Sequence, residues 1–212
     1  MSENLNIFVG LAMGLNLVAL GSSRLTSVIR AAAVQGVLLG VLPLLMEEFH
    51  WMILVVAVLT MLVKGGLIPS LLNRAVKSAN IDRDLIPLVG YVPSLLLGAT
   101  GTLAAVAVAQ RLPLLPAHAH TLLVPGALAS VFTGLVLLIG RVKAITQVCG
   151  YLILENGIYL FGLLLLHSTP LIVEGGILLD LTVAVFIIGI IVDRIRTEFD
   201  TLDTHKLNML RE

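Results

Sequence analysis

The sequence predicts an all-α fold, namely a polytopic membrane bundle of seven transmembrane helices with its N-terminus outside and its C-terminus in the cytoplasm. Three observations predict it. Only 12% of the 212 residues are charged and 58% are hydrophobic, with a mean hydropathy of +1.05, whereas a soluble domain carries about 25% charge. The apolar residues form runs of roughly twenty, the length that crosses a bilayer. The basic residues are sorted by loop.

Seven apolar runs follow one another with short loops, which predicts a single integral membrane domain over residues 1–212. The fourth run is long and carries Pro87 and Pro93, so a kink or a strong tilt is expected. No Lys or Arg precedes the first run, so we interpret it as a mature helix rather than a signal peptide. The runs extend over about Leu5–Gly21, Val28–Met46, Trp51–Pro69, Leu85–Gln110, Thr121–Gly140, Gln147–His167 and Leu171–Val192.

The distribution of positive charge predicts the orientation of the bundle. All but two of the 13 Lys and Arg residues lie in alternate loops, at the adjoining end of a run (Arg30) or in the C-terminal tail. The exceptions are Arg111, on the opposite side, and Lys64, inside the third run. This positive-inside pattern favours an odd number of spans and a cytoplasmic C-terminus. The formal net charge is zero, so no basic field indicates a nucleic-acid partner.

Two local patterns concern helix packing and the membrane surface. Gly10 with Gly14, and Gly36 with Gly40, are spaced four residues apart and would allow helices to approach closely. They also fit the ordinary glycine content of membrane helices. The segment LLNRAVKSANIDRD, residues 71–84, fits an interfacial amphipathic stretch or a loop on the cytoplasmic side.

Three ionisable residues lie at similar, mid-membrane depth: Lys64, Glu155 and Asp180. Such residues persist in a membrane when they face the bundle interior, pair with one another or stay neutral. If Lys64 pairs with one acid, the other has no cation within this group. A carboxyl buried without a partner tends to keep its proton, so a shift of a neighbouring charge would make it take up or release one. We therefore predict a proton relay at these three positions.

Accessory residues surround the two acids in the sequence. Tyr151 and Tyr159 share one helix face with Glu155, because they lie four residues on either side of it. Asn156 follows the acid directly, and Glu174 lies at the expected outer mouth of the seventh span. The tyrosines also fit a belt residue and a packing aromatic, and Glu174 fits a solvated acid at a helix end.

Structural interpretations of the three central residues remain open. In the structural interpretation, Glu155 and Asp180 take no part in a relay, and each one holds two helices together through hydrogen bonds. The long stem of Lys64 would let its ammonium group reach the cytoplasmic interface.

The sequence lacks the motifs of a self-contained enzyme. It has one cysteine, Cys149, so neither a disulfide framework nor a cysteine-ligated iron–sulfur cluster is available within the chain. It has no phosphate-binding glycine loop, zinc-binding helix motif or nucleophile elbow. His118 and His120 in PAHAH form a weak metal-like pair that better fits polar loop residues. We expect no metal site and no catalytic residues.

The C-terminal half resembles component E of membrane-bound hydrogenase-4 and related formate hydrogenlyase complexes. The resemblance rests on GYLILENGIYLFGLLLL, LIVEGG, ILLDLTVAVFIIGIIVDRI and the tail FDTLDTHKLNMLRE, together with LVKGGLIPSLL in the third run. It covers most of the chain and is most specific in the last seventy residues or so. The first two runs match in pattern alone.

Within that resemblance, the part over 118–212 is similar to the three-helix K subunit of respiratory complex I and of multisubunit cation/proton antiporters. The part over 1–112 adds four helices. The acids of that subunit would correspond to Glu155 in LILENG and Asp180 in LLDLTV. Asp180 replaces a glutamate, and its shorter side chain makes its role less secure.

The resemblance implies a non-catalytic membrane-arm subunit of an energy-converting nickel–iron hydrogenase in a prokaryotic inner membrane. The implied partners are antiporter-like membrane subunits, a quinone-site-like membrane subunit and a peripheral hydrogenase arm. The nickel–iron centre and the iron–sulfur clusters belong to those partners, and this chain carries no cofactor. The alternatives are a scaffold in the same membrane arm, a subunit of a cation/proton antiporter, and a free-standing small transporter.

Overall fold

The structure, a computed structural model, describes residues 2–46, 51–78, 88–113 and 121–164. Within them the chain is helical, apart from short turns. The elements are α1 (Ser2–Gly21), α2 (Leu25–Met46), α3 (Trp51–Leu62), a π-helical turn (Val63–Leu67), α4 (Ile68–Ser78), α5 (Tyr91–Ala109), α6 (Leu123–Gly140) and α7 (Ala144–Leu164).

The described residues contain 6 helices that are long and apolar enough to cross a membrane. They correspond to the first six predicted spans. They confirm the prediction of an all-helical chain with apolar helices of membrane-spanning length. The third of these helices runs without a break over Trp51–Lys77, through α3, the π-helical turn and α4. The predicted seventh span, together with Asp180 and Glu174, lies outside the described residues.

Four helices, α1, α2, α6 and α7, form the centre of the bundle. Two flanks, α5 on one side and α3 with α4 on another, pack against it. α6 and α7 make the most extensive pair of the described helices, and α1 and α2 pack beside them. α5 lies against α1 and α6, whereas α3 with its continuation lies against α2. The outer surfaces of both flanks carry exposed apolar side chains, as a lipid-facing surface requires; they include Met52, Val55, Leu59, Leu62, Leu96 and Leu103.

The prediction of one long fourth span was wrong at its start. α5 begins at Tyr91, and the backbone N–H of Leu88 instead donates to the carbonyl of Gly140 at 3.0 Å. Pro93 therefore lies in the first turn of the helix, where the missing N–H breaks no intrahelical bond. Pro87 lies outside the described residues. The proline thus marks a helix start instead of a kink.

The third helix extends beyond its predicted end at Pro69. Its ladder widens at the π-helical turn, where the N–H of Ile68 donates to the carbonyl of Val63. α4 then continues to Ser78, so the described part of the 71–84 segment is helical. α4 buries Leu72 and exposes Arg74, which agrees with the predicted amphipathic character.

Glycines bring α6 and α7 into backbone contact. A methyl group added at Gly157 would lie 2.6 Å from the amide nitrogen of Val131 and 2.8 Å from the carbonyl oxygen of Ala127. One added at Gly134 would lie 2.5 Å from the amide nitrogen of Leu154. Small residues at a membrane-helix interface allow this approach and its dispersion contacts. The hairpin therefore holds α7 at a fixed height against α6.

Apart from Lys64 and Arg111, the basic residues of the described part lie towards one end of the bundle. Arg141, which the sequence placed in a loop, is 2% exposed. Its Nη2 donates to the carbonyl of Leu20 at 2.9 Å, and its guanidinium lies 4.5 Å from the ring centroid of Tyr91. This contact joins the C-terminus of α1 to the start of α5. Arg111 follows α5 at the opposite end.

We expect Gly157→Ala to lower stability by about 1–3 kcal/mol, because its methyl group meets backbone atoms that cannot rotate away. Gly14→Ala is the matched control, since no described atom lies within 4 Å of a methyl group there. That control gains helix propensity, by up to about 1 kcal/mol. Thermal melting of the purified protein in detergent would compare the two. Equal melting temperatures would contradict the backbone contact between α6 and α7.

Candidate functional site

A buried ion pair lies at the centre of the candidate site. The Nζ atom of Lys64 donates to Oε1 of Glu155 at 2.7 Å. The two side chains are 7% and 3% exposed. Lys64 comes from the π-helical turn and Glu155 from α7, so the pair connects a flank of the bundle to its centre. An ion pair in such surroundings needs close geometry and further hydrogen bonds.

Glycines make the approach of Lys64 possible. A methyl group added at Gly36 of α2 would lie 2.6 Å from Cβ of Lys64 and 3.3 Å from its Cδ. A methyl group added at Gly65 would collide with Cγ2 of Val37. The lysine stem therefore crosses α2 over a surface without a side chain. The π-helical turn, common at functional sites, and the neighbouring glycines together let Lys64 pass α2 towards α7.

The predicted close approach at the glycine pairs is confirmed in α2, whereas no described residue outside α1 comes nearer than 4.0 Å to a methyl group added at the pair in α1. Gly40 lies against Met61, whose Cγ would be 2.8 Å from an added methyl group. Gly10 meets only Leu122 at 4.0 Å, and a methyl group at Gly14 meets nothing described within 4 Å. Spacing alone does not distinguish the two pairs, because both lie in equally apolar helices.

Asn156 extends the ion pair into a polar network. Nζ of Lys64 donates to its Oδ1 at 3.1 Å, and its Nδ2 donates to Oε1 of Gln35 at 3.2 Å. Nε2 of Gln35 then donates to Oδ1 of Asn16 at 2.9 Å and lies 3.3 Å from Oγ of Ser130. Asn16 also donates to Ser130 at 3.0 Å. All of these side chains are buried.

This polar layer, defined as Asn16, Gln35, Lys64, Ser130, Glu155 and Asn156, divides the apolar core of the bundle. One apolar cluster, which includes Leu20, Ile29, Leu72 and Ile153, lies towards the basic end. The other, which includes Val9, Leu39, Ala127 and Leu160, lies towards the opposite end. Along each central helix, the polar residue falls between members of the two clusters. The layer is therefore at mid-height, in agreement with the depth that the sequence predicted for Lys64 and Glu155.

The two tyrosines have different surroundings. The ring centroid of Tyr159 lies 5.4 Å from Nζ of Lys64, within the range of a cation–π contact. Tyr151 is half-buried and packs against the apolar cluster at the basic end. The common face predicted for Tyr151, Glu155 and Tyr159 thus brings Tyr159 to the ion pair. The predicted relay roles of these residues stay predictions.

The sequence left open which acid pairs with Lys64, and the structure pairs it with Glu155. The alternative in which Lys64 reaches the cytoplasmic interface was wrong, since its ammonium group points to α7 and is buried. Membrane burial makes this pairing favourable, as an unpaired charge in hydrocarbon costs several kcal/mol. Asp180 and Glu174, like His118 and His120, lie outside the described residues.

Sequence reasoning missed Gln35, Asn16 and Ser130. The available signal was a single amide or hydroxyl in an otherwise apolar run, as in AAAVQGVLLG around Gln35. Such residues often bond only to their own helix, as the hydroxyl of Thr100 does with the carbonyl of Leu96. Their convergence depends on how the helices rotate in the bundle, which one sequence does not reveal.

The chemistry available here is proton transfer and charge movement. Glu155 and Lys64 are the ionisable groups among these side chains, whereas the amides of Asn156 and Gln35 donate and accept hydrogen bonds without titrating. The described residues contain no group of three or more His, Cys, Asp or Glu side chains that would hold a metal ion. The site therefore offers two ionisable groups held by non-ionisable ones.

Comparison with known proteins places the chain beside an uncharacterized relative. It is 36% identical over 191 residues to the uncharacterized protein Rv0085 of Mycobacterium tuberculosis. That alignment covers 89% of this chain and 87% of the relative. No family model matches the chain, and no solved structure matches it significantly.

We expect Gly36→Ala to weaken the ion pair, because the new methyl group would occupy the path of the Lys64 stem. Overpacking of this kind costs about 1–3 kcal/mol. The test is a double-mutant cycle with Glu155→Gln, read as melting temperature. If Gly36→Ala acts by separating Lys64 from Glu155, its effect should be smaller when the carboxylate is already gone. Strict additivity would show that the glycine does not position the lysine.

Proposed function

The chain belongs to the same family as Rv0085 of Mycobacterium tuberculosis, and we propose that it is a membrane-arm subunit of an energy-converting nickel–iron hydrogenase. In this proposal it is non-catalytic and contributes to proton translocation in a prokaryotic inner membrane. The partners are antiporter-like subunits, a quinone-site-like subunit and a peripheral arm that holds the nickel–iron and iron–sulfur centres. The proposal rests on the resemblance to hydrogenase-4 component E and on the buried ion pair.

The Lys64–Glu155 pair is the single structural observation that carries the proposed role in proton translocation. Two charges at mid-height in an apolar bundle are expensive to insert, and residues of this kind commonly mark ion pathways. A pair of well-packed hydrophobic residues would hold the same helices together without that expense. The presence of two ionisable groups on different elements is therefore better explained by a use for their charge.

Proton transfer at Glu155 would change the forces on Lys64. When the carboxylate is ionised, its attraction holds the ammonium group at 2.7 Å. A proton on Glu155 removes that attraction, while Asn156 and the ring of Tyr159 still contact the ammonium group. In this proposal, a charge that approaches from a neighbouring subunit changes whether Glu155 holds a proton, and thereby changes the attraction on Lys64. Asp180 is the proposed second carboxyl of this relay, and sodium is the alternative ion.

The proposed topology has seven spans, with the N-terminus outside and the C-terminus in the cytoplasm. The clustering of Arg24, Arg141 and Lys143 near one end of the bundle supports it, because cytoplasmic ends of membrane helices are enriched in Lys and Arg. Under this orientation, α4 with Arg74 lies at the cytoplasmic interface.

A structural role in the same membrane arm is the second candidate. The polar layer favours it, since buried polar residues can fix helix register even where they do not add stability. In that case the ion pair would matter for assembly and not for turnover. A free-standing transporter is distinguished more simply, because it would work when expressed alone.

Single and paired replacements separate the two candidates. Lys64→Met or Glu155→Leu alone leaves one buried charge, and we expect a loss of about 3–5 kcal/mol and poor assembly. Lys64→Met combined with Glu155→Leu removes both charges, so assembly should recover. Proton translocation should not recover, because nothing at this position then titrates. Assembly would be measured by the yield of intact complex, and translocation by acidification of inverted membrane vesicles per hydrogen turnover.

Gln35→Leu is the control for the paired hydrophobic variant. The Gln35→Leu variant also alters the polar layer but leaves Lys64 and Glu155 in place, so it should retain more translocation than the paired variant at equal assembly. Full proton translocation in a well-assembled paired variant would support the structural role and contradict the proposed proton relay.

A further inference from the structure

α4 carries two positive charges on the side that faces away from the bundle. Arg74 and Lys77 are exposed and lie three residues apart, so they are neighbours on one side of the helix. Ser70, which is four residues before Arg74, is exposed on the same side. The other side of α4 packs into the bundle and buries Leu72 and Val76. The two cations therefore project from the outer surface of this flank.

The length of the third helix brings these cations to the lipid headgroups. The continuous helix Trp51–Lys77 has 27 residues, which corresponds to about 40 Å. The hydrocarbon core of a bilayer is about 30 Å thick, and the headgroup regions extend this to about 40–45 Å. Trp51, at the opposite end of the helix, is exposed, as tryptophans at membrane interfaces commonly are. Arg74 and Lys77 therefore lie at the level of the headgroups at the basic end of the bundle.

The outer side of the same helix is apolar nearer the middle of the membrane. Leu59, Leu62 and Leu67 are exposed there. Exposed apolar side chains on a membrane helix contact the acyl chains of lipids. Ser70 and the two cations of α4 follow towards the basic end. This side of the helix therefore matches a molecule with apolar chains and an anionic head.

No described carboxylate competes for the two cations. Neither Arg74 nor Lys77 forms an ion pair or a side-chain hydrogen bond within the described part of the chain. Of the two acids in that part, Glu3 lies in the first turn of α1, at the opposite end, and Glu155 is buried against Lys64. In a bilayer, the anions that attract Lys and Arg near the surface are the phosphate groups of anionic lipids.

We infer that the outer side of α4 binds the headgroup of an anionic phospholipid through Arg74 and Lys77, with the acyl chains along Leu59 and Leu62. The guanidinium group suits a phosphate because it donates two parallel hydrogen bonds, and the ammonium group adds a point charge. A lipid bound there anchors the end of the helix that carries Lys64. The inference requires a membrane protein, but it does not depend on the proposed role in a hydrogenase.

Native mass spectrometry of the full-length chain in detergent micelles tests the inference. The chain would be titrated with phosphatidylglycerol and, separately, with phosphatidylcholine of the same acyl chains, and the one-lipid adduct gives each Kd. We expect phosphatidylglycerol to bind about thirtyfold more tightly, roughly fivefold for each cation. Arg74→Gln combined with Lys77→Gln should abolish this preference and leave the Kd for phosphatidylcholine unchanged.

A matched control removes the same charge from the same end of the bundle. Arg24 and Arg30 are exposed and lie just before α2 and in its second turn. Arg24→Gln combined with Arg30→Gln should therefore retain the preference for phosphatidylglycerol. A loss as large as that in the α4 variant would show diffuse attraction by the whole basic end and would overturn the site on α4.

Two further outcomes would also overturn the inference. Equal affinity of the native chain for the two lipids would show that the cations select no headgroup. An unchanged preference in the α4 variant would place the lipid elsewhere on the chain. If that variant also fails to join a membrane complex, the two cations instead contact an acidic surface of another subunit. None of these outcomes bears on the proposed relay, because the Lys64–Glu155 pair is intact in every variant.

Discussion

The attraction between Lys64 and Glu155 is the interaction on which the rest of the site depends. In hydrocarbon either charge alone is costly, and the bundle brings Nζ and Oε1 together at 2.7 Å. Asn156 and Tyr159 contact the ammonium group for this reason. The network through Gln35 then fixes the orientation of Asn156. A network that is fully connected stabilises one arrangement of helices, whereas a partly connected one destabilises the fold.

The geometry of the Lys64–Glu155 pair requires two backbone features that do not favour a regular helix, a glycine and a π-helical turn. Lys64 reaches α7 because Gly36 has no side chain in its path and because the helix widens from Val63 to Leu67. Glycine in a helix lowers its stability by up to about 1 kcal/mol relative to alanine, and π-helical turns are rare. By contrast, α7 is held firmly by backbone contact with α6. One partner of the pair therefore lies on the closely packed hairpin of α6 and α7, and the other on the π-helical turn.

The sequence predicted the coarse fold well because membrane burial acts on composition, run length and charge sorting. It also identified Lys64 and Glu155, since an ionisable residue in an apolar run is conspicuous. It did not predict that the two meet, because their separation of 91 positions is closed by tertiary packing. The start of α5 was misjudged because a proline fits both a kink and a first turn. Arg141 was assigned to a loop, yet its buried contacts to Leu20 and Tyr91 arise only when three helix ends converge.

The asymmetry around Lys64 determines how a change at Glu155 would spread. On one side the amides of Asn156 and Gln35 lead to the centre of the bundle, where α1, α2, α6 and α7 are tightly joined. On the other side lies the π-helical turn, with Gly65 and Gly66 and a widened hydrogen-bond ladder. When a proton cancels the charge of Glu155, the attraction on Lys64 falls, and the segment that resists displacement least responds first. Motion would therefore start in the flank formed by α3 and α4.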